Sequence, residues 1–160
     1  VAALTHPHEY AQDSCVLWCD AIRGAVADEW IDVYAGLDLI PARRREFWAE
    51  QLDAARDGDP RDFSPNGYTV HALQAAASAV LHASGDGPDH FRDGVFTAVR
   101  IGNDTDTVAA IAGALLGAQW GLSAIDDQWR VAVHGWPHVD TVPSRAADLV
   151  RLADEMVGVR

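Results

Sequence analysis

The sequence predicts an all-α fold, a compact bundle of helices, on three observations. Apolar residues recur at three- and four-residue spacing along most of the chain. No stretch of any length alternates with the period of two that a half-buried strand requires. Clusters of Gly, Pro and Asp interrupt the helical pattern at intervals that fit short connections.

With 160 residues, of which 49% are apolar, residues 1–160 suffice for one packed domain. The longest apolar run, Val108 to Ala118, is interrupted by Gly113 and Gly117 and is too short to cross a bilayer, so no membrane association is expected. The formal net charge of −12 repels phosphate backbones and argues against nucleic-acid binding, while it tolerates bound cations.

A first helix follows Thr5, a candidate cap, with Pro7 in its first turn and Ala11, Cys15, Trp18, Ile22 and Ala25 on one stripe. Cys15 and Cys19 lie four apart, a spacing that suits neither a disulfide nor a zinc pair. They read as reduced core thiols of a cytoplasmic protein. A second helix follows Pro41 and faces Phe47, Trp48, Leu52 and Ala55 inward; Arg43, Arg44 and Arg45 at its start read as a solvated face that neutralises nearby acids. Asp57 to Gly67 is a loop. A third, Ala-rich helix runs from about Thr69 to His82, with His71 packed in the core, and breaks at Ser84 to Pro88. A fourth carries Phe91, Val95, Phe96 and Val99 and stops at Ile101-Gly102-Asn103. The fifth, from about Thr105 to Gly121, is nearly all small or apolar and is expected to be the most buried, with Gly113 and Gly117 permitting close approach of a neighbour. A loop covers His134 to Ser144, and a last helix starts near Ser144 with Leu149, Val150, Leu152, Met156 and Val157. Most of the six Trp residues are expected in the core, and His8, His82, His90, His134 and His138 in solvent.

The stretch Gly102-Asn103-Asp104-Thr105-Asp106-Thr107 carries the chemistry. It places four oxygen-bearing side chains at the entry to the fifth helix. One reading is capping, since Asp and Thr satisfy helix-start amides and carboxylates suit the positive end of the dipole. The other is a divalent cation held by Asp104, Asp106 and Thr107, because two carboxylates this close repel unless a cation lies between them. A hard cation accepts about six oxygens, so three protein ligands leave room for water, substrate or ligands from elsewhere. With no His or Cys close by in sequence, zinc is disfavoured. Spacing alone leaves both readings open.

The segment GNDTDTVAAIAGALLGAQWG resembles the C-terminal motif of the ADP-ribosylglycohydrolase family, as do Thr5-His6-Pro7 opening a long helix and Asn66-Gly67-Tyr68 leading into an Ala-rich helix. Together the three blocks span about Leu4 to Trp129. The resemblance implies an all-helical, orthogonal bundle around two Mg²⁺ or Mn²⁺ ions and hydrolysis of the glycosidic bond between ADP-ribose and a protein side chain or small acceptor. It assigns Asp104, Asp106 and Thr107 to metal, and His6, Gly67 and Tyr68 to the substrate pocket. Asn103 stands where many members have Gly, and Asn tolerates the same left-handed backbone. Members also carry an N-terminal Gly-Asp motif and a Thr-Asp-Asp block, and nothing before Thr5 supplies either. The chain therefore resembles the C-terminal portion of a longer enzyme. The general base is expected in that other half, which, or another chain, would cover the exposed apolar faces. Beside the hydrolase stands a rival from another class: a non-catalytic ADP-ribose-binding or crystallin-like relative.

Overall fold

The computed structural model describes residues 1–139 and 142–158, with side chains omitted at 136–139 and 142. They fall into two compact units, Val1–Ala124 and Ile125–Arg160. The first holds five α-helices: α1 (Glu9–Ala27), α2 (Ala42–Asp57), α3 (Thr69–Leu81), α4 (Pro88–Ile101) and α5 (Thr105–Trp120). These bounds follow the spacing and breaker pattern closely. α1 starts later than expected. Its cap is His8, whose Nδ1 accepts from the Tyr10 amide at 3.2 Å, while Thr5 closes a short 3-10 turn over Ala2–Leu4.

The centre of the unit is α3 and not α5. Every residue from Ala72 to Val80 is buried, and α3 packs against α1, α2, α4 and α5. Its run of alanines lets four neighbours surround it, because a small side chain keeps helix axes close without leaving voids. α5 buries only Val108, Ala112, Leu115 and Leu116, and Ala110 and Ala114 are exposed. Alanine makes a helix look uniformly apolar yet gains little by burial, so composition misled. The close approach expected of Gly113 and Gly117 belongs instead to Gly94 on α4, where an added Cβ would lie 2.6 Å from Leu116 Cδ1. At Gly113 and Gly117 the nearest atoms are an ordinary 3.8 and 3.9 Å away.

The buried stripe of α1 is rotated from the expected one. Asp13, Ser14, Leu17, Trp18, Ala21 and Ala25 face inward, and Cys15 and Cys19 are exposed. The cause is an ion pair. Arg44, the middle residue of the arginine run, is buried and donates to both carboxylate oxygens of Asp13, with Nη2 to Oδ1 at 2.8 Å, and to Glu9 Oε2 at 2.7 Å. Trp48 Nε1 donates to Asp13 Oδ2 at 3.1 Å, and Tyr10 stacks on Phe47 beside it at 4.6 Å. Burial pushes the Asp13 carboxyl up, but the Arg44 and Trp48 hydrogen bonds and the Arg44 charge outweigh it and hold the group below the usual carboxylate range. Turning Asp13 inward leaves Cys15 and Cys19 on the other side of the helix. Arg43 and Arg45 do remain at the surface, paired with Glu9 and Asp38.

Trp48, Leu52 and Ala55 of α2 are buried as expected. Trp18 is also buried, but Trp30 is 71% exposed. His90 is half-buried: its Nδ1 accepts from Trp120 Nε1 at 2.8 Å and its Nε2 reaches the Val80 carbonyl at 3.2 Å. The second unit contains α6 (Asp127–Ala132), β1 (His134–Val139), β2 (Val142–Arg145) and α7 (Ala146–Val157). The strands pair antiparallel, His134 opposite Arg145 and Val139 opposite Val142, where a loop was expected. Pro137 and Pro143 masked them, since proline is confined to edges, and a two-stranded hairpin is all edge. The side chains of Trp136 and His138 lie outside the described residues. None of the described helices is long and apolar enough to cross a membrane.

Candidate functional site

The N-terminal ends of α1, α3 and α5 converge on a cleft of about 880 Å³. His6, Gly67, Tyr68, Asp104 and Thr107, five of the six site residues expected from sequence, line it together. Asp106 does not line it and is exposed on the first turn of α5. Four hydrogen bonds lock the walls. Ser14 Oγ and Thr69 Oγ1 share a hydrogen bond of 3.0 Å between α1 and α3. Trp18 Nε1 donates to the Ile111 carbonyl at 3.0 Å between α1 and α5. Asn66, ahead of α3, bonds to both sides of the turn that starts α5.

That turn has a demanding backbone. Gly102 has φ 88 and ψ −173, a region open essentially to glycine alone, and Asn103 follows at φ 59. Asn103 thus takes the left-handed conformation that its side chain tolerates, and its amide donates to Ser64 Oγ. The next residue, Asp104, occupies the cap position of α5, yet its side chain makes no cap hydrogen bond. Neither the Asp104 nor the Asp106 carboxylate has a hydrogen-bond or ion-pair partner among the described residues. Side-chain capping therefore does not account for Asp104, while Asp106 holds the first-turn position that the helix dipole favours. No arginine among the described residues lines the cleft, and the sequence has no lysine. His6 Nδ1 lies 3.0 Å from Thr5 Oγ1 and its ring is exposed. Tyr68 is half exposed, its ring edge-on to His71 at 5.5 Å. His71 itself is exposed, not packed in the core, and bonds to the Pro65 carbonyl at 3.1 Å. Two positions on α1 expected in the core, Ala11 and Cys15, form part of its wall instead.

The donor set is hard oxygen, which suits Mg²⁺ or Mn²⁺. It is also short. Among the described residues no group of three or more His, Cys, Asp or Glu side chains could hold a metal ion. Asp104 and Thr107 offer oxygens to the cleft, and Asp106 lies on the same helical turn outside its lining. Sequence reasoning overlooked Asn66 as anything but a marker ahead of Gly67. Its partners lie 36 and 38 residues away, and only the folded chain brings them together.

The comparisons place this all-helical bundle, with its cleft and its uncapped Asp104, in a known family. The family model for ADP-ribosylglycohydrolase matches residues 1–159, and the chain belongs to that family. It is 32% identical over 159 residues to ADP-ribosylarginine hydrolase Tri1 of Pseudomonas putida (strain GB-1), a match covering 97% of this chain and 40% of that one. A 64-residue match to the Serratia proteamaculans (strain 568) protein of the same name is 38% identical, covering 40% of this chain and 16% of the relative. ADP-ribosylhydrolase ARH3 of Danio rerio is 41% identical over 49 residues, 31% of this chain and 13% of that protein. The chain thus spans less than half the length of these relatives. No solved structure matches it.

Proposed function

We propose that this chain forms one wall of the active site of a metal-dependent hydrolase that cleaves the glycosidic bond of ADP-ribose attached to a protein side chain or small acceptor. One observation carries the reading. The residues expected for substrate and most of those expected for metal share one cleft, and the Asp104 carboxylate at its edge is not used as a helix cap.

The electrostatics give the reading a physical basis. A diphosphate is repelled by a protein of net charge −12, and this cleft offers it no arginine or lysine. A divalent cation, which Asp104, Thr107 and the neighbouring Asp106 would hold, would resolve that conflict by neutralising charge. When bound, the cation supplies charge neutralisation and polarises oxygen ligands. The chain's own residues do the rest. Asp104, Asp106 and Thr107 offer oxygens on one rigid helical turn. Gly67, with no atom within 4 Å of where a Cβ would stand, leaves open space for a ligand beside the loop. The half-exposed ring of Tyr68 supplies a flat face for a base or ribose. His6 supplies a hydrogen-bonding group at the rim. No residue of this cleft is assigned the general base. That group and the remaining oxygen ligands would come from protein outside these 160 residues. The names of the relatives, ADP-ribosylarginine hydrolase and ADP-ribosylhydrolase, support the bond and the substrate class.

The test is a release assay on ADP-ribosylated protein with Mg²⁺ or Mn²⁺. A longer protein that includes this chain should release ADP-ribose, and the Asp104→Asn and Asp106→Asn variants should lower the rate at least tenfold. The 160-residue chain alone should release none. Full activity in both variants would remove the metal role assigned to this turn.

A further inference from the structure

We infer that Asn66 is a positioning residue for the cation site, holding the Gly102–Asp104 turn so that the Asp104 carboxylate points toward the cleft. The inference rests on the metal reading above. Asn66 has no exposed surface at all. Burying an amide side chain is unfavourable unless its donor and acceptor are both satisfied. Here each meets the backbone of the same turn: Nδ2 donates to the Gly102 carbonyl at 3.2 Å, and Oδ1 accepts from the Asp104 amide at 3.0 Å. The two contacts also fix the orientation of the amide, since the reversed amide would face carbonyl to carbonyl and N–H to N–H.

What is clamped explains why a clamp is needed. Gly102 and Asn103 both have positive φ, a conformation that costs free energy in an isolated chain. The first amides of a helix have no partner within it, and the Asp104 amide, just ahead of α5, is likewise open. An Asp at that position would ordinarily fold its carboxylate back onto the amides that follow. Asp104 does not. The clamp sets the backbone instead, so the carboxylate is left free. Asn103 donating to Ser64 Oγ ties the same turn to the same loop a second time. Because Gly67 and Tyr68 follow Asn66 directly, the strut also joins the substrate side of the cleft to the metal side.

The test uses the 160-residue chain and Mg²⁺ alone, read by NMR. In the wild-type protein the Asp104 amide should be protected from hydrogen exchange. Mg²⁺ should shift the Asp104 amide and the Asn66 side-chain NH₂ signals along one saturation curve, and should leave the Gln74 NH₂ signals in place. Asn66→Ala should weaken Mg²⁺ binding at least tenfold, the range typical of residues that orient metal ligands. It should also abolish Asp104 protection. Ser78→Ala, which removes a buried polar group on α3 away from the turn, should change affinity less than twofold. An Asn66→Ala variant that folds and binds Mg²⁺ within twofold of wild type would overturn the inference. So would a wild-type titration in which Asp104 responds and the Asn66 NH₂ does not, a result that needs no variant to fold. Absence of any saturable response at Asp104 would sink the metal reading itself, and this inference with it.

Discussion

Two acidic groups in this molecule are treated in opposite ways. Asp13, on the first half of α1, is buried and meets Arg44 at both oxygens and Trp48 at one. Asp104, at the edge of the cleft, and Asp106, exposed on the first turn of α5, have carboxylates with no partner among the described residues. The first arrangement is structural. A carboxylate taken out of water is kept charged only by a full set of partners. The second leaves its carboxylates unpaired, although caps and arginines were available elsewhere in the chain. Unpaired like charges two residues apart repel each other, and on the proposed reading a cation between them and the substrate relieves that repulsion. On the proposed reading, the comparison separates an acid that builds the fold from acids held ready for a ligand.

The largest effect should follow from breaking the first pair. Asp13→Ala leaves the Arg44 guanidinium buried without its main partner and should cost about 3–5 kcal/mol of unfolding free energy, measured by urea denaturation. Replacing both, as Asp13→Leu with Arg44→Met, should cost distinctly less than the sum of the single changes, because no charge is then left stranded. The next effect is steric. Gly94→Ala would bring a Cβ to 2.6 Å from Leu116 Cδ1 and should destabilise by about 1–3 kcal/mol. Gly113→Ala, where the nearest atom is 3.8 Å away, should be neutral or mildly stabilising through helix propensity.

Asp13 also predicts a pH dependence. Its folded-state pKa is held below the unfolded value, so the folded protein gives up this proton more readily than the unfolded chain. Its contribution is fully present above the ordinary Asp value, about 4, and is lost as pH falls through the lowered one. Unfolding midpoints taken from pH 6 down to pH 3 should fall, and the Asp13→Asn variant should show a shallower slope over the same range. The smallest stability effect belongs to the second group. Asp104→Asn and Asp106→Asn should each change stability by less than about 0.5 kcal/mol without metal. A Mg²⁺-induced rise in Tm should disappear in both. A large loss of stability without metal would mean that these acids are structural after all.

How far the sequence discloses the molecule follows the same division. Helix positions were legible because period and breakers are local, and α2 buries Trp48, Leu52 and Ala55 as expected, with Phe47 half-buried. The facing of α1 was not, because it depends on Arg44, thirty-one residues from Asp13, entering the core. Cys15 and Cys19 read as core by residue type and went outside for that reason. α3 and α5 were confused as to which is central, since both are rich in small apolar residues and only packing partners distinguish them. At the site, the acidic turn was visible because its chemistry is local. Asn66 was not, because its role exists only across the 36 to 38 residues that folding closes.

The most direct test of the contrast is anomalous scattering from crystals of this chain soaked in Mn²⁺. The account predicts a peak within bonding distance of Asp104 and Asp106 oxygens, with the Thr107 hydroxyl turned toward it and no peak near Asp13. Carboxylates at 104 and 106 that fold back onto the α5 amides, with no metal density beside them, would contradict it.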